Sequence, residues 1–185
     1  MKELIAAIRK HDPSVHSVLE VFLYPGLWAM FFHAIASRLF NMRLYFLARF
    51  VCQFSRFITG IEIHPGARIG KGVFIDHGAG VVIGETCVIG DNVVIYQGVT
   101  LGGTGKDTGK RHPTVEKDAM ISAGAKVIGP ITVGAGAKIG AGAVVLRDVP
   151  AGHTMVGEPS RNTAIEDSLR KEVLRLKQQI EELTR

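Results

Sequence analysis

The stretch ITVGAGAKIGAGAVV, residues 131–145, places Val133, Ile139 and Val145 at six-residue intervals, with Ala137 and Ala143 four residues beyond the first two and Gly between them. Neither the 3.6-residue period of a helix nor the alternation of a half-buried strand gives that spacing. Traced backwards, the same beat runs through Val115, Ile121 and Val127. Ahead of an interruption it runs through Phe57, Ile63, Ile69 and Ile75 and then, after two extra residues, through Ile83, Ile89, Ile95 and Leu101. Four residues beyond these come mostly small positions: Ile61, Ala67, Val73, Ala79, Cys87, Val93, Val99, Ala119, Ala125 and Ile131. One large and one small inward position per hexad suits a short strand followed by a tight turn, with Gly where the backbone needs positive φ. Three hexads close a triangular coil of about 18 residues, and stacked coils make a left-handed parallel β-helix.

The expected class is therefore α+β: a helical N-terminal cap over residues 1–56, a β-helix over 57–160 with a loop extruded at 107–114, and a C-terminal amphipathic helix over 161–185. The N-terminal part reads as helices punctuated by Pro13 and Pro25. They are apolar, yet Glu20, Pro25, His33, Arg38, Arg43 and Arg49 leave no run of about 20 apolar residues, so a membrane span is not expected. MKELIAAIRKHDP lacks the apolar core and cleavage site of a signal peptide, which makes the cytoplasm the expected compartment. Cys52 and Cys87 fall on apolar positions and read as core filler rather than as a redox pair or metal ligands. The formal net charge is +5, but the Lys and Arg residues are scattered without a nucleic-acid motif. A small polyanion is a better partner for that excess than a polynucleotide.

In the last stretch Leu169, Val173, Leu176, Ile180 and Leu183 are spaced four, three, four and three, a heptad seam. This helix either docks on the prism or associates with other copies.

The two breaks in the repeat carry the polar chemistry. One is the insert DTGKRHPT, residues 107–114, with Arg111 and His112; the other is the two-residue expansion in IDHGAGVVIGET, with adjacent Asp76 and His77. A loop ejected from a rigid scaffold is a usual carrier of function, and two breaks with a His in each read as two halves of one site.

The run IHPGARIGKGVFIDHGAGVVIGETCVIGDNVVIYQGVTLGGTGK, residues 63–106, followed by KRHP, residues 110–113, resembles the serine O-acetyltransferases of bacterial and plant cysteine synthesis, members of the hexapeptide-repeat acyltransferases. The likeness covers residues from about 8 to 160, and its most specific parts are DHGAG, GET, GGTGK and RHP. It implies transfer of the acetyl group of acetyl-coenzyme A to the hydroxyl of L-serine, in trimers whose active sites lie between neighbouring prisms. A serine hydroxyl needs a base poised near neutral pH, and the resemblance gives that role to His77, oriented by Glu62 where the family carries an aspartate. Arg111 would fork the substrate carboxylate, a geometry that Lys does not copy. His112 would hold the same end or the developing oxyanion. Asp76 and Asp12 would hold the ammonium group, with Glu85 also placed in the substrate site. Coenzyme A would lie near Thr104, Ala123 and Ala141 with Lys138 at its phosphates, and no metal is expected. L-Cysteine is an expected inhibitor. A homotrimer is expected, with the C-terminal helix able to join trimers into hexamers. Relatives dock a terminal isoleucine into cysteine synthase; this sequence ends at Arg185, so that complex is not expected. An acetyltransferase of sugars or other small hydroxyl compounds is the alternative activity. A zinc-dependent β-helical carbonic anhydrase is disfavoured by the spacing of His64, His77 and His112.

Overall fold

The computed structural model describes residues 7–8, 12–105, 108–157, 172–173, 175–177 and 179–180. After a short 3-10 turn at Glu20–Leu23 come two helices, α1 (Pro25–Asn41) and α2 (Tyr45–Thr59). Pro25 opens α1, where its fixed φ suits a first helical turn and its missing N–H costs nothing. Gly60, at φ 71°, ends α2 in the left-handed conformation that a C-terminal cap needs.

Among the described residues fourteen short strands follow and sort into three parallel sheets. Face I holds β1 (Glu62–Ile63), β4 (Val82–Ile83), β7 (Thr100–Gly102), β10 (Lys126–Ile128) and β13 (Val144–Val145). Face II holds β2 (Arg68–Ile69), β5 (Val88–Ile89), β8 (Thr114–Val115) and β11 (Thr132–Val133). Face III holds β3 (Phe74–Ile75), β6 (Val94–Ile95), β9 (Met120–Ile121), β12 (Lys138–Ile139) and β14 (Thr154–Met155). The chain visits I, II and III in turn, so every strand hydrogen-bonds to the strand one coil away and the result is a triangular prism.

The register explains the six-residue beat. On face III, Ile75 pairs with Ile95, Ile95 with Ile121, Ile121 with Ile139, and Ile139 with Met155. On face I the column is Ile63, Ile83, Leu101, Val127 and Val145. Coils lie about 4.8 Å apart, so each side chain rests on its counterpart, and these residues form one continuous buried core with the half-buried Met155 packed against its end. Full burial of one such side chain contributes roughly 1.5–3 kcal/mol.

The two breaks show as register offsets. Ile83 pairs with Leu101, 18 residues on, whereas Ile63 pairs with Ile83, 20 on, and Leu101 with Val127, 26 on. The insertions thus lengthen two coils by two and by eight residues without disturbing the core columns.

The structure corrects two positions of the expected repeat. Phe57 is not a rung: it lies in α2, is 89% exposed, and the first rung is β1. Helical and hexad periods happen to place an aromatic residue on the same beat there. Ala79 is exposed and Val81 fills its inward place, because the two extra residues shift the phase by that amount. The strand β8 begins at Thr114, so the segment leaving the prism ends one residue earlier than the expected 107–114. Of the expected C-terminal helix, 172–173, 175–177 and 179–180 are helical; Leu169, Leu183 and Arg185 lie outside the described residues. Among the described residues no helix is long and apolar enough to cross a membrane.

The cap sits on the first coil: α1 packs against β1 and β3, and α2 against α1 and β1. The closest approach is at Gly26, where a Cβ would overlap the carbonyl oxygen of Ile75 and lie 3.2 Å from its Cβ. Helix propensity alone favours Ala over Gly by up to about 1 kcal/mol, while overpacking against fixed backbone costs about 1–3 kcal/mol. Gly26→Ala should therefore lower the denaturation midpoint. A more stable variant in chemical denaturation would show that α1 is free to move off the prism.

Candidate active site

Asp76 and His77 occupy the edge where face III turns into face I, in the coil that carries the two extra residues. His77 has φ 57°, and Gly78 and Gly80 follow at 71° and 74°. A non-glycine residue in the left-handed region is uncommon and held only by its surroundings; here Gly78 N–H donates to the Asp76 carbonyl at 2.6 Å. The turn exposes the His77 ring while most of the Asp76 carboxylate is covered, with Nε2 3.9 Å from Asp76 Oδ2.

Asp12 reaches this edge from the N-terminal segment. One carboxylate oxygen accepts from the Ser14 backbone N–H at 2.8 Å and the Ser14 hydroxyl at 2.6 Å; the other accepts from the phenol of Tyr24. Tyr24 immediately precedes α1 and is anchored by its ring, 6.3 Å from that of Phe74 in the small cluster of Val21, Leu27, Phe74 and Val94. The Ser14 hydroxyl, the Tyr24 phenol and the Ser14 N–H hold the Asp12 carboxyl below its usual range, helped by the charge of nearby His77. Burial, then the bond to Asp12, pushes Tyr24 up to about 12, with Asp76 contributing. Asp12, Asp76 and His77 are thus gathered at one edge. Glu62 is not brought to His77: its carboxylate pairs with Arg56 at 3.0 Å.

Residues 84–86 and the long loop occupy a different edge, where face I turns into face II. The loop leaves β7 and folds back onto the corner of the preceding coil. The Thr86 hydroxyl accepts from the backbone N–H groups of Arg111 and His112, each at 3.1 Å, and lies 2.9 Å from His112 Nδ1. Lys110 Nζ donates to the carbonyls of Thr86 and Pro113 at 2.8 and 3.2 Å. Arg111 Nη2 donates to Glu85 Oε2 at 2.5 Å, so Glu85 aims the guanidinium. His112 is buried, and a Cβ on Gly84 would overlap its ring. Burial, then the Arg111 guanidinium, holds His112 below its ordinary pKa.

The remaining assigned positions sort onto the same two edges. Ala123 and Ala141 follow β9 and β12 on the edge of His77, where the Gly142 N–H donates to the Ala123 carbonyl at 2.9 Å. Lys138 stands exposed on face III in β12, beside that edge. Thr104 is on the edge of His112. A hexad of extended chain spans on the order of 20 Å, so His77 and the pair Arg111 and His112 belong to separate edges of one prism.

Comparison with known proteins follows the same lines. The family described as bacterial transferase hexapeptide (six repeats) matches residues 112–147, and the hexapeptide repeat of succinyl-transferase matches 80–103. A serine acetyltransferase of Bacillus licheniformis is 60% identical over 162 residues, covering 87% of this chain and 75% of that protein. The chain belongs to the serine acetyltransferase family. Solved members of that family share the fold. A Neisseria gonorrhoeae serine acetyltransferase in complex with serine superposes with a TM-score of 0.81 at 40% identity, over 87% of this chain and 66% of that one. A Brucella abortus serine acetyltransferase in complex with coenzyme A gives 0.82 at 42%, over 86% and 64%. The chain therefore spans about two thirds of these solved serine acetyltransferases, and its prism is the left-handed parallel β-helix expected from the repeat.

Two residues of the site are missed by reading the sequence. Tyr24 and Thr86 act through partners 12 and 25–26 residues away, and neither carries a charge or a metal-ligand spacing to mark it. Tyr24→Phe keeps the ring and removes one donor from Asp12. The titration midpoint of the Asp12 carboxyl, followed by carbon-13 NMR, should rise; an unchanged midpoint would mean that the phenol does not hold this carboxylate in solution.

Proposed function

We propose that this protein transfers the acetyl group of acetyl-coenzyme A to the hydroxyl of L-serine, giving O-acetyl-L-serine and coenzyme A, the first step of cysteine synthesis. The observation that carries the reading is the division of polar residues between two edges. An amino acid needs an anionic and a cationic partner; Asp12 and Asp76 stand beside His77, and Arg111 stands beside His112. Two edges of one prism do not meet, so the site is completed between copies. Joining two different edges is a heterologous contact, which forms a ring where the rotation between copies closes, and a homotrimer fits a three-sided prism. The two named complexes, of serine and of coenzyme A, support the same pair of substrates.

In this mechanism His77 takes the hydroxyl proton as the serine oxygen attacks the thioester carbon. The carbonyl electron pair moves onto oxygen, and its return expels the coenzyme A thiolate, which takes the proton back from His77. Arg111, aimed by Glu85, forks the serine carboxylate, while Asp12 and Asp76 hold the ammonium. The pairing of Glu62 with Arg56 leaves its role as the partner of His77 dependent on a rearrangement in the assembled site. The pantetheine arm lies along the edge of Ala123 and Ala141 and faces Thr104 of the neighbouring prism, with Lys138 toward the phosphates. L-Cysteine differs from L-serine only at the side-chain sulfur and so competes for the same pocket. Cytoplasmic location belongs to the same proposal.

A panel of L-serine, L-homoserine and small sugars, assayed by thiol release from acetyl-coenzyme A, should give the highest kcat/KM with L-serine; preference for a sugar would overturn the assignment. With serine, His77→Ala should lower kcat by roughly 100-fold or more in a folded oligomer. Arg111→Lys should raise the KM for serine about tenfold and leave that for acetyl-coenzyme A unchanged. Equal losses for both substrates would assign the loop to coenzyme A instead.

A further inference from the structure

The proton inventory around Thr86 determines which nitrogen of His112 carries hydrogen. A hydroxyl has two lone pairs and one proton. The backbone N–H groups of Arg111 and His112 occupy both lone pairs of Thr86 Oγ1, each at 3.1 Å. The remaining proton is directed to His112 Nδ1, 2.9 Å away. A second, independent donor points at the same atom: the backbone N–H of Thr86 itself, 3.3 Å from Nδ1. A backbone N–H can only donate, so Nδ1 is an acceptor and the neutral ring holds its proton on Nε2. Protonating Nδ1 as well would set a new N–H against two existing donors, in a ring already buried and beside a guanidinium.

Nε2 faces the two glycines of the corner, Gly84 and Gly103. A Cβ on Gly84 would overlap the ring at Cδ2 and Nε2, and one on Gly103 would lie 3.2 Å from Nε2. Among the described residues no group accepts a hydrogen bond from this Nε2–H.

We propose that Thr86 is a positioning residue that fixes His112 as a neutral Nε2–H donor, so that His112 binds the oxyanion formed on the thioester carbonyl and leaves proton transfer to His77 alone. The proposal rests on the acetyl-transfer reading above. In the step concerned, the carbonyl π pair becomes a lone pair on oxygen and Nε2–H donates a hydrogen bond to it. No proton leaves His112, and the bond weakens again when the carbonyl re-forms. Two histidines of one site are thereby given different work: an exposed ring on a strained turn accepts the proton, and a buried ring pinned through Nδ1 only donates.

The test compares Thr86→Val, which keeps shape and backbone but lacks the hydroxyl, with Thr86→Ser, which keeps it. Nitrogen-15 NMR of the resting wild-type protein should show His112 as the Nε2–H tautomer, and Thr86→Val should mix the tautomers. Its kcat should fall by roughly 10- to 100-fold, part of the loss that follows removal of a whole oxyanion donor, with the KM for acetyl-coenzyme A unchanged; Thr86→Ser should restore most of kcat. If Thr86→Val does not fold, the decision passes to His112→Gln, whose side-chain amide supplies a donor near the position of Nε2. It should retain at least tenfold more kcat than His112→Ala. An Nδ1–H tautomer in the wild-type protein, an unchanged kcat in Thr86→Val, or equal kcat in His112→Gln and His112→Ala would overturn the proposal. Because the tautomer is read without substrate, failure of serine acetylation itself is distinguished from failure of the assignment to Thr86.

Discussion

Everything in the molecule depends on one aliphatic side chain resting on its counterpart in the next coil. The columns running from Ile75 to Ile139 and from Ile63 to Val145 are buried, and parallel strands of two or three residues have no other source of order. Such strands are too short to be stable as isolated ladders, so each coil is held by its neighbours, as in other solenoids. The inward positions have no freedom to carry chemistry. Whatever this protein does must be done at the corners.

Each corner imposes its own electrostatic character. At the edge of His77 the turn leaves a histidine exposed in a left-handed conformation, near two carboxylates, one of them held ionised by Ser14 and Tyr24. At the edge of His112 a histidine is buried, crowded by Arg111 and pinned by Thr86. The same residue type therefore has two environments, one open to solvent and one whose burial opposes gaining a proton. Division of labour between titratable groups usually arises in this way.

The architecture is legible in the sequence because its cause is local and periodic. Hexads are counted directly, and the two- and eight-residue expansions appear as breaks in the count before they appear as register offsets of 20 and 26 residues. Asp76, His77, Arg111 and His112 are visible because they are polar residues inside those breaks. What escapes is whatever depends on contacts between distant segments. The exposed Phe57 keeps the beat while belonging to a helix that ends at Gly60. The choice of Val81 over Ala79 depends on how the extra residues are folded into the turn. Glu62 turns to Arg56, and Tyr24 and Thr86 matter only through atoms that the fold brings to them.

The expanded coils bear on how such a scaffold changes over evolutionary time. Leu101 and Val127 stay paired although eight residues more than usual intervene at one corner. An insertion or deletion at a corner is therefore invisible to the core and is answered only by solvent or by a neighbouring chain. Each edge is a row of independent addresses, one per coil, where a loop can be lengthened, trimmed or rewritten without asking the interior to repack. New specificities can accumulate on an unchanged prism, and two coils altered at different times can still present their residues to a common substrate.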